Sequence, residues 1–215
     1  MRTRLTSPLT VLAAATLLLS GCGGEDAGRS GEIAGADVDK GTQSVAPSPA
    51  ADDGIVRPEI RLPVDVKNTF EGAVTTDPVK KAVLADNERR LGTIAQAITS
   101  GDTKTSGMGF YSAGAALESA YAYVKGGLDK GLTITGTTRF YDRVATVHNA
   151  RSASLSYCAD ETRVFVKERG TKKPKKDPVT RRSYVFYETE LVKNKKGVWQ
   201  TTSVESARGS TRCLP

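Results

Sequence analysis

The apolar periodicity of this chain changes once, near residue 130, and that change constrains the fold more than any other feature of its 215 residues. Upstream of it, apolar residues recur at helical spacing. Asp77-Pro78 offers a capping side chain and then proline at the first helical position. Leu84, Leu91, Ile94, Ala95 and Ile98 follow on one stripe, and Ser100-Gly101-Asp102 ends the run. A second stripe, Ala113, Ala116, Leu117, Ala120, Tyr121 and Val124, predicts a helix over 112–125, stopped by Gly126-Gly127. Downstream the pattern shortens to strands: "LTITGTTRFYDRVATVHN", "ASLSYCA" and "RVFVKE" are rich in threonine, aromatic and β-branched residues. The alternation in the first of them changes phase near Asp142, which places a bulge or break there. "SYVFYETELV" and "GVWQTTSVES" then flank "KNKKG", a hairpin with Gly197 closing its turn. Helices followed by an antiparallel meander predict an α+β fold, with the N-terminal helices packed on one face of a curved antiparallel sheet.

The first quarter of the chain contributes little to such a fold. Arg2 and Arg4 precede an apolar run from Leu9 to Leu19, shorter than the roughly 20 residues a membrane-spanning helix needs and flanked as a secretory signal is. Leu19-Ser20-Gly21-Cys22 resembles the lipobox of bacterial lipoproteins. That resemblance implies a diacylglyceryl group on the Cys22 thiol, cleavage just before it, and an anchor of two acyl chains. From Gly23 to about Asp53 the chain is Gly, Ala, Ser, Pro and acidic residues with hardly a large apolar one. Such a segment cannot bury enough surface to offset chain entropy, so it is expected to be a disordered linker with a mean reach of about 30 Å. The expected organisation is a signal peptide over 1–21, lipidated cysteine and linker over 22–56, and one domain over 57–215. Pro58 and Pro63 make the start of that domain an extended lead-in. The tether resembles those of lipoproteins from high-GC Gram-positive bacteria, which implies a place on the outer face of the plasma membrane.

The chain has three cysteines. With Cys22 carrying lipid, Cys158 and Cys213 remain as an even pair in an oxidising setting, where a disulfide is the default. A free nucleophilic thiol would require both to stay unpaired. Two distant thiols and a single histidine make no familiar metal set, and no cofactor is expected. The formal net charge is +7, and the stretch "KERGTKKPKKDPVTRR" concentrates it: eight basic and two acidic residues between two strands. Lys172, Lys173, Lys175, Lys176, Arg181 and Arg182 make this loop a candidate contact for anionic lipid, anionic cell-wall polymer or an acidic partner. It has no aromatic residues for base stacking, and nucleic acid is not an expected partner outside the cell.

The order helix, helix, sheet, with "GTTRFYDRVATVHNARSASLSYCADETRVFV" and "SYVFYETELVKNKKGVWQTTSVESARGSTRC", resembles the NTF2-like (cystatin-like cone) fold, above all its exported lipoprotein members. In those a strand ends in Cys-x-Asp, the last strands carry a GxW hairpin, and a terminal cysteine pairs with the first. The matching positions here are Cys158 and Asp160, Gly197 and Trp199, and Cys213, and the resemblance runs over about 76–214.

This fold hosts enzymes and binders alike, so the residues must decide. An enzyme of this kind would line the cone with an acid/base pair. The candidates are Tyr141, Asp142, His148, Tyr157, Asp160 and Glu161, and no pair among them declares itself. The aromatics point to a cavity instead: Phe110, Tyr111, Tyr121, Phe140, Tyr141, Phe165, Phe186 and Trp199 are candidate linings for a concave sheet beneath the second helix, with core packing as the alternative. The expected protein is therefore a membrane-anchored, non-catalytic lipoprotein. It either meets a protein partner through its open sheet or carries or senses a small apolar ligand in the cone, with an isomerase- or dehydratase-type enzyme of this fold as the remaining alternative.

Overall fold

The computed structural model describes residues 42–44, 53–104, 106–171, 173–175 and 178–215. Helix α1 spans Pro78–Ser100 and begins where its cap dictates. The Asp77 carboxylate accepts from the Val79 and Lys80 amides at 2.8 and 3.2 Å, and Pro78 needs no partner for an amide hydrogen it lacks. Gly101, left-handed at φ +80°, ends the helix with its N–H on the Ala97 carbonyl. A single turn, α2 (Met108–Tyr111), leads to α3 (Gly114–Leu128). The glycines expected to stop α3 lie inside it. A side chain at either would meet only open space, so they sit on its solvent face at a cost of about 1 kcal/mol each. An ion pair of Lys125 with Asp129 at 2.7 Å holds the last turn.

Strand β1 (Thr42–Ser44) pairs with β2 (Arg61–Pro63) in a small two-stranded sheet. The main sheet contains β3 (Val66–Phe70), β4 (Leu132–Asn149), β5 (Ser152–Glu168), β6 (Pro174–Lys175), β7 (Tyr184–Lys193) and β8 (Trp199–Arg208). Its order is β3-β4-β5-β7-β8, with β6 on an edge of β5. The fold class is α+β as read from the sequence, with one correction. The sheet is mixed, because the lead-in supplies β3, which runs parallel to β4 from Val66 opposite Gly136 to Phe70 opposite Phe140. Five residues without strong alternation hid this strand from sequence reading.

Strands β4 and β5 are long, and three register shifts between them let the sheet curve. The shift between Tyr141 and Val144 falls at Asp142, which adopts φ +50°. This is the predicted phase change, and its effect is specific. Phe140 is buried before the bulge and Arg143 and Ala145 after it, so the extra residue turns Arg143 inward. Gly136 is held at φ +103°, where a Cβ would lie 1.9 Å from the Arg163 carbonyl oxygen of β5.

Helix α1 lies on the sheet's inner face. Val83 and Leu84 pack there with Phe140, Leu155, Tyr157, Leu191 and Trp199, while Ala97 meets Met108, Ala120 and Val124 of α2 and α3. The β7–β8 hairpin closes as predicted, with Gly197 at φ +88° and its amide on the Asn194 carbonyl. Cys158 and Cys213 form a disulfide, Cα to Cα 5.5 Å, tying the C-terminal turn beneath β5. Among the described residues no helix is long and apolar enough to cross a membrane.

Candidate functional site

Residues Val83 to Arg90 of α1 are buried on every side of the helix. The sheet covers one side and α2 with α3 another. The extended segment 55–62 covers a third, with the Ile60 side chain 3.2 Å from where a Cβ on Gly92 would stand. The segment "ADNERR" therefore places four charges and an amide in the interior, and each needs a partner.

Asp86 has three partners. One carboxylate oxygen accepts from Arg89 at 3.1 Å and lies 3.6 Å from the Arg57 guanidinium. The other accepts the Trp199 amide at 2.9 Å. Burial still raises its pKa, against the pull of that amide and of the two arginines. Glu88 pairs with Arg143 at 2.7 Å, both side chains 5% exposed. Arg143 also donates to the Leu84 carbonyl at 3.2 Å, and its guanidinium sits 5.0 Å from the centre of the Phe70 ring. Arg90 differs. It donates to the Ser112 hydroxyl at 3.0 Å and lies near Tyr157 and Tyr187, and among the described residues it forms no ion pair with a carboxylate. Burial draws its guanidinium below the ordinary value, and burial likewise pushes the Tyr157 hydroxyl up.

The Glu88–Arg143 pair forms the floor of a half-open cleft of about 640 Å³. The first half of α1, the loop after β3, the segment around Asp53 and Ile55, and the β7–β8 turn enclose it. Ile55, Phe70, Val74, Pro78, Ala82 and Leu84 give it largely apolar walls, and Lys81 and Lys193 also line it. Its volume and its few polar groups are those of a small-molecule site.

None of the eight aromatics expected to line a cavity lines this cleft. Phe140 and Trp199 are core residues. Tyr121 is exposed on α3. Tyr141 is half-buried and donates its hydroxyl to the Cys213 carbonyl. Phe165 is half-buried in β5, and Phe186 lies beneath the Arg212 guanidinium at 4.7 Å. Tyr111 is fully buried and Phe110 packs edge-on against it.

The acid/base candidates are likewise scattered. His148 is exposed, 3.0 Å from the Ser154 hydroxyl, and Asp142 is exposed on the bulge. Asp160 is held by Arg139 at 3.3 Å and Glu161 by Arg208 at 2.6 Å. Lys173, Lys175, Arg181 and Arg182 are all exposed, while Lys172, Lys176 and Cys22 lie outside the described residues. Among the described residues no three His, Cys, Asp or Glu side chains are placed to hold a metal ion.

Sequence pattern does not single out Asp86 to Arg90, because a charge run within a helix ordinarily faces solvent. The one signal it carries is the choice of arginine, which suits buried pairing better than lysine.

No protein-family model matches the chain, and no curated protein matches its sequence. Among solved structures, the intermembrane-space region of the chloroplast protein ARC6 aligns at 11% identity and TM-score 0.39, over 57% of this chain and 92% of that one. A candidate ketosteroid isomerase from Shewanella frigidimarina aligns at 14% identity and TM-score 0.31, over 58% of this chain and 97% of its own.

Proposed function

We propose that this chain is an exported, lipid-anchored domain of NTF2-like type that acts by binding, and that it holds a small, mainly apolar ligand in the cleft above Glu88 and Arg143. The cleft carries the reading: about 640 Å³, walled by aliphatic and aromatic side chains, with a few converging polar groups. The lipobox-like Leu19-Ser20-Gly21-Cys22 supports export and anchoring, and the Cys158–Cys213 disulfide suits an oxidising compartment.

Two other readings have less support. Docking through the open sheet needs a continuous apolar patch. The hollow on the β4–β8 sheet is mostly polar: Thr146, Ser154, Ser156, Glu188, Glu190 and Glu205 line it beside Val144 and Leu155. Acid–base catalysis needs a carboxylate poised to exchange a proton, whereas Asp86 and Glu88 are each held by arginine.

The test is native mass spectrometry of the full lipidated protein released in detergent. The expected result is a discrete non-covalent added mass, lost on denaturation and at least halved in occupancy by Val74→Trp, which fills the cleft from its exposed rim. A bare wild-type mass, or an adduct indifferent to Val74→Trp, rejects the reading.

A further inference from the structure

We infer that the ligand of this cleft is an amphiphilic anion, with an apolar body against the walls and one acidic head, carboxylate or phosphate, held by Lys81, Lys193 and Arg143. This rests on the cleft being a ligand site and names the chemistry it selects.

The acidic groups of the cleft are already committed. Asp53 is gripped by Arg57 at 2.6 Å through both carboxylate oxygens. Glu88 is paired with Arg143. The two lysines that line the cleft are in a different position. Among the described residues the lysine ion pairs are those of Lys125 with Asp129 and Lys167 with Asp65. Lys81 and Lys193 have no carboxylate within pairing distance among those residues, and Lys193 has only the edge of a cation–π approach to Trp199, at 5.9 Å.

Arg143 points to a ligand independently of the lysines. Its side chain is 5% exposed, yet its Nε–H is buried without a hydrogen-bond acceptor. The same guanidinium reaches both Glu88 and the Leu84 carbonyl through one terminal nitrogen, Nη2. A buried donor on a permanently charged group calls for an acceptor. Arg143 lines the cleft, so an oxyanion bound there stands beside its guanidinium. A neutral apolar ligand would leave all three cations as they are, and a cationic one would be repelled by them. The walls then set the rest of the molecule: Phe70, Val74 and Leu84 offer no hydrogen bonds to a polar body.

The experiment uses the full lipidated protein in nanodiscs of neutral phosphatidylcholine, with equilibrium dialysis of radiolabelled decanoate, decyl phosphate, decanol and decylamine, corrected for empty discs. At least one of the two anions is expected to bind about ten-fold more tightly than decanol, and the tighter of the two identifies the head group. Lys81→Gln with Lys193→Gln, both changes at partly or fully exposed side chains, is expected to remove about ten-fold of the anion's affinity and leave that of decanol unchanged. Decanol or decylamine binding as tightly as both anions overturns the anion assignment and leaves the cleft as a site. No binding of any probe, together with a bare native mass, rejects the cleft itself.

Discussion

Arg90 is where the interior's charge does not close. Arg57 and Arg89 share Asp86, and Arg143 has Glu88, but Arg90 is buried with hydroxyl neighbours and, among the described residues, without a carboxylate. An isolated buried charge is a standing cost, and an apolar side chain of similar length removes it. Arg90→Met is therefore expected to raise stability by about 1–2 kcal/mol. Asp86→Ala, which strips the Trp199 amide and Arg89 of their acceptor and Arg57 of a nearby counter-charge, is expected to lower it by about 3–5 kcal/mol. Urea denaturation separates the two by the sign of the midpoint shift. If Arg90→Met loses as much as Asp86→Ala, the Arg90 charge stabilises the interior and is no cost to it. These charges were the least legible part of the sequence. Beyond the choice of arginine, nothing local separates Asp86–Arg90 from a solvated helix face, because what buries them is distant in the chain: the sheet, the turn before α3 and the segment 55–62.

Among the elements, β4 decides where the cleft's floor lies. Its bulge was readable as a change of phase at Asp142, since period-two alternation is a local property of the chain. That the bulge aims Arg143 at Glu88 was not readable, because Glu88 is on another element. The same limit hid the cavity lining: aromatic residues were the obvious candidates, yet Phe140 and Trp199 went to the core and smaller side chains, Val74 and Ala82 among them, lined the cleft. Helix α1 was legible from its cap and stripe and α3 from its stripe, and the end of α3 was misplaced because glycine on a solvent face tolerates helix. The tightest point of the strand is Gly136, beside the Arg163 carbonyl. Gly136→Ala is expected to cost about 3 kcal/mol or more, since backbone, and no pliable side chain, stands in the way. A thermal melt reads it, and a loss below about 0.5 kcal/mol would show that β4 and β5 do not approach so closely.

For the whole molecule, the disulfide is the largest single constraint added to the chain. It closes a loop between residues 55 apart, which by loop-entropy reasoning is worth about 4 kcal/mol. Cys158→Ser with Cys213→Ser should lower the denaturation midpoint by a corresponding amount without changing the far-ultraviolet spectrum of the native state. An unchanged midpoint would mean that the reduced chain is already held together at that point by other contacts, such as the bond from Tyr141 to the Cys213 carbonyl.

The partners of Asp86 also bear on how the domain assembles. Its carboxylate receives Arg57 from before the helix and the Trp199 amide from 113 residues after Asp86 itself. Helix α1 can form early from its own cap, but it cannot come to rest with Asp86 desolvated until the last strand has begun to pair. Closure of the interior is thus a late event that joins both ends of the domain. Folding of this kind is slow for its size, because the longest loops must close before their contacts repay them. A partly assembled domain would expose a charged helix to water, where it dissolves, instead of a greasy one that sticks. The buried charges that complicate the finished core are thus expected to keep the unfinished one more soluble.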